Sequence, residues 1–473
     1  MRKIVFLFLV ICNALFISAQ YEVSCNLGFS YEISNNNQWG KNKPVIMKVY
    51  QNSPAEKAGI RQNDIIEEID EFKVDDLSVD DVDSLLTDLE SFETRLVIRN
   101  FSEQPQSILI KKECLSIDAL TENQLASAFS MYSVENTHER LFICPFTTAS
   151  TRDEVDFSQF KTFDFAPVED TSISQIESAI NEMLKAELIK KGLRYNTLSP
   201  EIIIYTHYKF DKNTNFRRKS KETENQPPTI RYDITRDQLI QLPFYNLATP
   251  ESESEYLLQL GVRFVDNQFV PGRVIWECEA NELMSAPYAI DEYATIHIPL
   301  MCMQFPYIKY NRNAQYILAK KGYNYTGIKY SIYKINEVIE VDYDSPAYEA
   351  GIRAGDVIER IENKRMDFSS DEFTAAYRAF ITSTIKYRDI RTRFTDANGF
   401  SNCMFWDKFK YTQIAKVINN DKYKTAFSYL YAFAPYVNPE RSSSYAFNIK
   451  RDGEKLQLVI RPVFYSETTI EIN

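Results

Sequence analysis

The sequence predicts an α+β protein of about three domains in which one small unit is used twice. Three observations carry this. The first is a repeat: Ser53-Pro54-Ala55, Ala58-Gly59-Ile60-Arg61, Asp64, Ile66-Glu67 and Ile69 recur as Ser345-Pro346-Ala347, Ala350-Gly351-Ile352-Arg353, Asp356, Ile358-Glu359 and Ile361, at a constant offset of 292 residues (345 − 53). The second is length: 473 residues exceed what one hydrophobic core organises. The third is a middle stretch, residues 156–310, of different character, with aromatic runs, a long amphipathic helix and separate strands.

Each element of the repeat has a physical reason. Ser53 and Ser345 can cap a short helix whose first residue is Pro54 or Pro346, where a missing N–H costs little. Glu56 completes a capping box in the first copy, and Tyr348 replaces it in the second. Gly59 and Gly351 stop the helix where a left-handed residue is needed. Asn63 and Gly355 tolerate positive φ in the next turn. Asp64-Ile65-Ile66 and Asp356-Val357-Ile358 then open a strand, with Ile65 and Ile69, or Val357 and Ile361, on one face.

This pattern resembles PDZ domains of the bacterial envelope type. The resemblance implies two PDZ-like, partly open β-barrels with flanking helices; they would stand around a central α/β sandwich domain, the fold implied by the separate resemblance of residues 156–310 given below. It also implies a Gly-containing loop that cradles a peptide's terminal carboxylate, here Leu27, Gly28 and Phe29, followed by a strand that pairs with the peptide, Ser30, Tyr31 and Ile33. Val82, Leu85 and Leu86, on a helix capped by Ser78, would shape the side-chain pocket; the other reading is that they only pack the domain. In the second copy Gly327 and Ile328 fit the loop less well, and Tyr377 takes the helix position.

In chain order, residues 1–19 read as a secretory signal peptide. Arg2-Lys3 leads an apolar run from Ile4 to Phe16, and Ile17-Ser18-Ala19 offers cleavage before Gln20. The run is too short to span a bilayer, no other stretch is long and apolar enough, and Ile11 before Cys12 does not make a lipobox. Residues 20–115 form the first unit and residues 116–155 a connector, with a helical turn or two in 123–132 and His138 in a loop.

In the central domain, 156–310, Phe157–Phe165 reads as a strand and Ile173, Ile176, Ile180, Met183, Leu184 and Leu188 as a helical stripe. Further strands are expected at 201–207, 261–265, 273–279 and 294–301, with a polar loop at 209–228. The order Asp156-Phe157-Ser158, Phe163-Asp164-Phe165, helix, strand, then Arg273-Val274-Ile275-Trp276 is similar to an envelope lipoprotein-type domain of unknown function. Residues 311–473 hold the second unit, with a helical insertion at about 382–444, a hairpin turning at Asp452-Gly453 and a polar tail.

A net charge of −12 gives no electrostatic reason to seek nucleic acid or anionic lipid. After loss of Cys12 with the leader, Cys25, Cys114, Cys144, Cys278, Cys302 and Cys403 remain. Fifteen pairings are open to six cysteines, and so is the reading that all are free and buried. Cys25 and Cys114 flank the first unit, and Cys278 and Cys302 fall on or beside candidate strands.

No catalytic motif, metal-ligand cluster, phosphate loop or cofactor motif is present, and His138, His207 and His297 are scattered. The sequence therefore points to a periplasmic or secreted, envelope-associated scaffold that binds protein or peptide C-termini. Two alternatives stay open: an unrecognised hydrolase with its site in the central domain, and a purely structural assembly component.

Overall fold

The computed structural model describes residues 23–50, 53–87, 91–101, 104–116, 118–128, 138–151, 155–167, 174–217, 229–388, 410–418, 420–423, 425–430 and 444–472. The expected leader and Cys403 lie outside the described residues, and so does Ser172, whose spacing from Gln175 reads as a capping box for the central helix.

In the first unit, strands Phe29–Ile33, Pro44–Val49, Ile65–Ile69, Glu93–Arg99 and Gln106–Lys111 lie side by side in that order in one antiparallel sheet. The sheet is open: no pairing joins its two margins among the described residues. The short helix Pro54–Lys57 starts where Ser53 Oγ accepts the Glu56 N–H at 3.2 Å. Its counterpart Pro346–Glu349 starts the same way, with Ser345 Oγ accepting the Tyr348 N–H at 3.2 Å. Gly59 and Gly351 close these helices at φ +85° and +88°, and Asn63 and Gly355 turn at +70° and +86°. Ser78 and Asp81 cap helix Val79–Thr87 reciprocally. A disulfide joins Cys25 to Cys114, fastening strand Val23–Asn26 to Glu113–Ser116.

The central domain is a six-stranded mixed sheet in the order Phe146–Ser150, Arg273–Met284, Tyr256–Asp266, Ile202–Lys212, Thr162–Phe165, Arg194–Tyr195. Helices Ser174–Lys190 and Ile290–Cys302 pack on each other and share its core.

Several expectations are corrected here. Residues 294–301 are helical, not a strand, and His297 and Cys302 go with them. The run Ile296 to Cys302 is buried except for the half-buried Pro299, and such a short apolar stretch has no periodicity that separates strand from helix. Asp291 and Glu292 in its first turn were the helix signal. Phe157–Gln159 is a turn of 3-10 helix, and only Thr162–Phe165 is a strand. The strand begun at Ile202 runs on to Lys212, into what reads as loop. His138 opens strand His138–Ile143 instead of lying in a loop. Of the two readings left open for the cysteines, Cys144, Cys278 and Cys302 follow the free and buried one. The polar tail is a ten-residue strand, Val463–Ile472, which pairs with Gln315–Tyr325.

The second copy of the repeat is divided between two small sheets. One runs Val338–Val341, Ile328–Ser331, Ala119–Leu120; the other runs Lys364–Arg365, Val357–Ile361, Tyr445–Arg451, Glu454–Ile460. Helix Ser370–Thr384 is capped by Ser369, in a capping box with Glu372, one residue before the serine that the offset points to. In the insertion, Tyr411–Ile418 is helical and Ile414 is buried; Trp406 and Phe409 lie outside the described residues.

Candidate functional site

The two glycine loops are built alike. Gly28 stands at φ +86°, and a Cβ there would come within 2.2 Å of Ser53 Cβ, so only glycine fits. The Gly28 carbonyl accepts from Tyr50 N–H at 2.9 Å and Ser53 Oγ–H at 3.0 Å, and the Leu27 carbonyl accepts from Ala55 N–H at 2.9 Å. Gly327 stands at φ +89° with Ser345 Cβ 2.3 Å from the same imagined atom. Its carbonyl accepts from Asp342 N–H, and the Thr326 carbonyl from Ala347 N–H, both at 2.9 Å. In both copies the loop carbonyls are thus taken, one by the first turn of the repeat helix and one by the residue just after the neighbouring strand. This ties each loop to its short helix and leaves the loop amides as the groups for a ligand to meet.

Beyond these loops the copies differ. In the first, strand Phe29–Ile33 is a sheet margin, and no strand covers its outer edge among the described residues. Phe29, Ser30, Tyr31 and Ile33 are all half-buried, while Leu27 is buried. The Tyr31 hydroxyl donates to Asp83 Oδ1 at 3.0 Å, linking this strand to helix Val79–Thr87. Burial and the Asp83 carboxylate push the Tyr31 phenol up to about 12. Of the three helix residues assigned to the pocket, Val82 and Leu86 are buried in the domain core and only Leu85 is half-buried. The helical stripe faces the sheet, as amphipathic helices do.

In the second copy the loop is filled by the chain itself. The Glu122 carboxylate accepts the Thr326 N–H at 2.6 Å, the Gly327 N–H at 3.0 Å and the Tyr429 hydroxyl at 2.6 Å, and it also accepts the Thr326 hydroxyl. The residues just before it form strand Ala119–Leu120, antiparallel to Ile328–Ser331, with Leu120 opposite Tyr330 and Ala119 opposite Ser331. Ile332 N–H donates to the Asp118 carbonyl at 2.9 Å. Glu122 is 2% exposed; burial pushes its carboxyl up to about 7, against the pull of the Thr326, Tyr429 and Gly327 donors. Gly327 and Ile328 therefore do lie at a carboxylate site, but a buried one, and the side chain of Tyr377 lies outside the described residues. Sequence reasoning missed Glu122; its only local signal is the helix cap between Thr121 and Gln124.

The central domain holds an enclosed polar cluster. Arg231 and Glu282 pair at 2.7 Å with side chains 3% and 2% exposed. His297 lies nearby, stacked on Tyr293 at 3.8 Å and hydrogen-bonded to the Tyr293 carbonyl. Burial, then the Arg231 charge, hold the His297 imidazole well below its ordinary value, so it is neutral. Among the described residues, no group of three or more His, Cys, Asp or Glu side chains is placed to hold a metal ion, and no helix is long and apolar enough to cross a membrane.

An open sheet margin beside a glycine loop, with a capped helix alongside, defines a PDZ domain, and residues 45–100 match the PDZ domain family. Residues 148–307 match a domain of unknown function, DUF4136. A PDZ domain protein from Parabacteroides distasonis, known from its crystal structure, is 49% identical, with 96% of this chain and all of that one covered, at a TM-score of 0.86. The chain belongs to this family of PDZ domain proteins. The HtrA3 PDZ domain bound to a phage-derived ligand is 15% identical over 20% of this chain and 89% of its own, at a TM-score of 0.18. The HtrA-type protease AlgW with a decapeptide is 16% identical over 20% of this chain and 30% of its own, at 0.17. No curated protein matches.

Proposed function

We propose that this protein is an exported scaffold whose first PDZ unit binds the C-terminal ends of other proteins by strand addition. The observation that carries this is the edge of Phe29–Ile33, which no strand covers among the described residues, next to the Leu27-Gly28-Phe29 loop. A peptide adds main-chain hydrogen bonds along such an edge, and its terminal carboxylate meets the loop amides. Phe29, Tyr31 and Leu85, half-buried on the neighbouring strand and helix, supply apolar surface for its side chains. The Tyr31–Asp83 hydrogen bond spans from that strand to the helix, so an incoming peptide passes over it or displaces it.

Export is part of the reading. The basic start, the apolar run Ile4–Phe16 and the Ile17-Ser18-Ala19 site support it, and so does the Cys25–Cys114 disulfide, since disulfides persist in oxidising compartments.

The test is a library of peptides with free C-termini, titrated against the full chain, with deuterium exchange followed at residues 27–33. Binding that protects this segment and is lost when the peptide terminus is amidated is the expected result. Failure of every peptide at millimolar concentration, or equal binding of amidated peptides, removes the proposal.

A further inference from the structure

The fit between residues 118–122 and the second glycine loop has every part of a peptide complex. There is an antiparallel strand, Ala119–Leu120, on the edge of Ile328–Ser331. A further ladder bond runs from Ile332 N–H to the Asp118 carbonyl. At the loop end of that strand, a carboxylate is held by the Thr326 and Gly327 amides. The carboxylate belongs to an internal glutamate instead of a chain terminus.

Among the described residues its partners are all neutral donors: two backbone amides, the Thr326 hydroxyl and the Tyr429 hydroxyl, which itself meets Tyr330 Oη at 2.5 Å. A structural carboxylate buried for stability is ordinarily paired with a cation. A carboxylate read by backbone amides is how such a loop takes a ligand. The two loops share their glycine conformation, their Ser contact and their carbonyl partners, so the second is built for the same task as the first.

We propose that the C-terminal unit is a second carboxylate-reading peptide site, and that residues 118–122 of this chain are its resident ligand, closing it to other peptides until they leave. The segment is tethered, so it competes at an effective concentration on the order of millimolar, and a free peptide of similar intrinsic affinity is excluded. Removing the Glu122 charge takes away the charge-assisted hydrogen bonds that hold the segment in the loop.

The experiment compares the full-length protein with its Glu122→Gln variant. The probe is a labelled synthetic peptide of residues 116–122 with a free C-terminus, followed by fluorescence anisotropy, with deuterium exchange locating the site. The variant is expected to bind the probe at least about tenfold more tightly than the parent, with new protection at residues 326–331. A folded variant with unchanged affinity, or with new protection only at 27–33, overturns the proposal. The segment read by exchange separates this outcome from failure at the first groove.

Should Glu122→Gln not fold, an Ala119→Cys/Ser331→Cys pair in the otherwise unchanged chain serves instead. The probe at high concentration is expected to protect 326–331 in the reduced form and not in the oxidised, locked form. Equal protection in both forms overturns the proposal.

Discussion

Gly28 and Gly59 show how far one residue type can mean two things. Both stand near φ +85°, a conformation that glycine adopts freely and alanine does not. Around Gly59 nothing lies within 4 Å of an added Cβ, whereas at Gly28 that atom would overlap Ser53. Gly59→Ala is therefore expected to cost about 1 kcal/mol, from backbone strain alone. Gly28→Ala is expected to cost about 1–3 kcal/mol more, because Ser53 and the helix it caps must shift. Urea unfolding of the two variants measures the difference, and equal midpoints would contradict the close packing of loop on helix. Gly59 was legible in the sequence, because a stop after a capped helix calls for positive φ, and Gly28 through the resemblance to the glycine loop of PDZ domains. Glu122 was not legible: its partners Thr326 and Gly327 are more than two hundred residues away, and nothing local distinguishes it from any glutamate opening a helix.

Among the elements, strand Phe29–Ile33 and helix Val79–Thr87 were readable as such, but the division of labour along the helix was not. A stripe of Val82, Leu85 and Leu86 fits a pocket or a core equally, and the contact with the sheet gives Val82 and Leu86 to the core. The same ambiguity misplaced residues 294–301, where mostly apolar residues form a helix that is buried except at Thr295 and Pro299. The disulfide is the element-level staple of the first unit. It closes a loop with a sequence separation of 89, and long loops gain most from closure. Replacing Cys25 and Cys114 together by serine is expected to lower stability by about 2–4 kcal/mol. Calorimetry of the double variant tests this, and an unchanged melting temperature would show the crosslink to be idle.

Across the whole molecule, the domains are joined through side chains that look local in sequence. Trp39 sits in the stretch Ser34 to Lys43, whose composition reads as a polar turn region, yet it is 1% exposed, donates to the Asn63 carbonyl at 2.8 Å and packs on Phe101 at 4.7 Å between ring centroids. Phe101 stacks in turn on Phe305 of the central domain at 5.5 Å. Arg99 pairs with Glu67 of its own unit and Asp156 across the boundary, at 2.6 and 2.7 Å. The C-terminal strand adds a third tie: Glu471 pairs with Lys48 of the first unit, and Ile472 enters the shared core. Phe101→Ala is expected to cost about 3–5 kcal/mol, and to split one thermal transition into separate first-unit and central-domain transitions. A single transition with an unchanged midpoint would mean that the domains are coupled elsewhere.

The sequence alone determined the repeated unit, its caps and turns, and the absence of recognisable catalytic motifs. These are set by residues within a few positions of one another, through φ preferences, capping chemistry and hydrophobic period. Tertiary structure decided that, among the described residues, one sheet margin carries no further strand while the other already carries residues 118–122. Occupancy of an edge depends on which distant segment has the reach and the donors and acceptors to match it, and local sequence does not encode that.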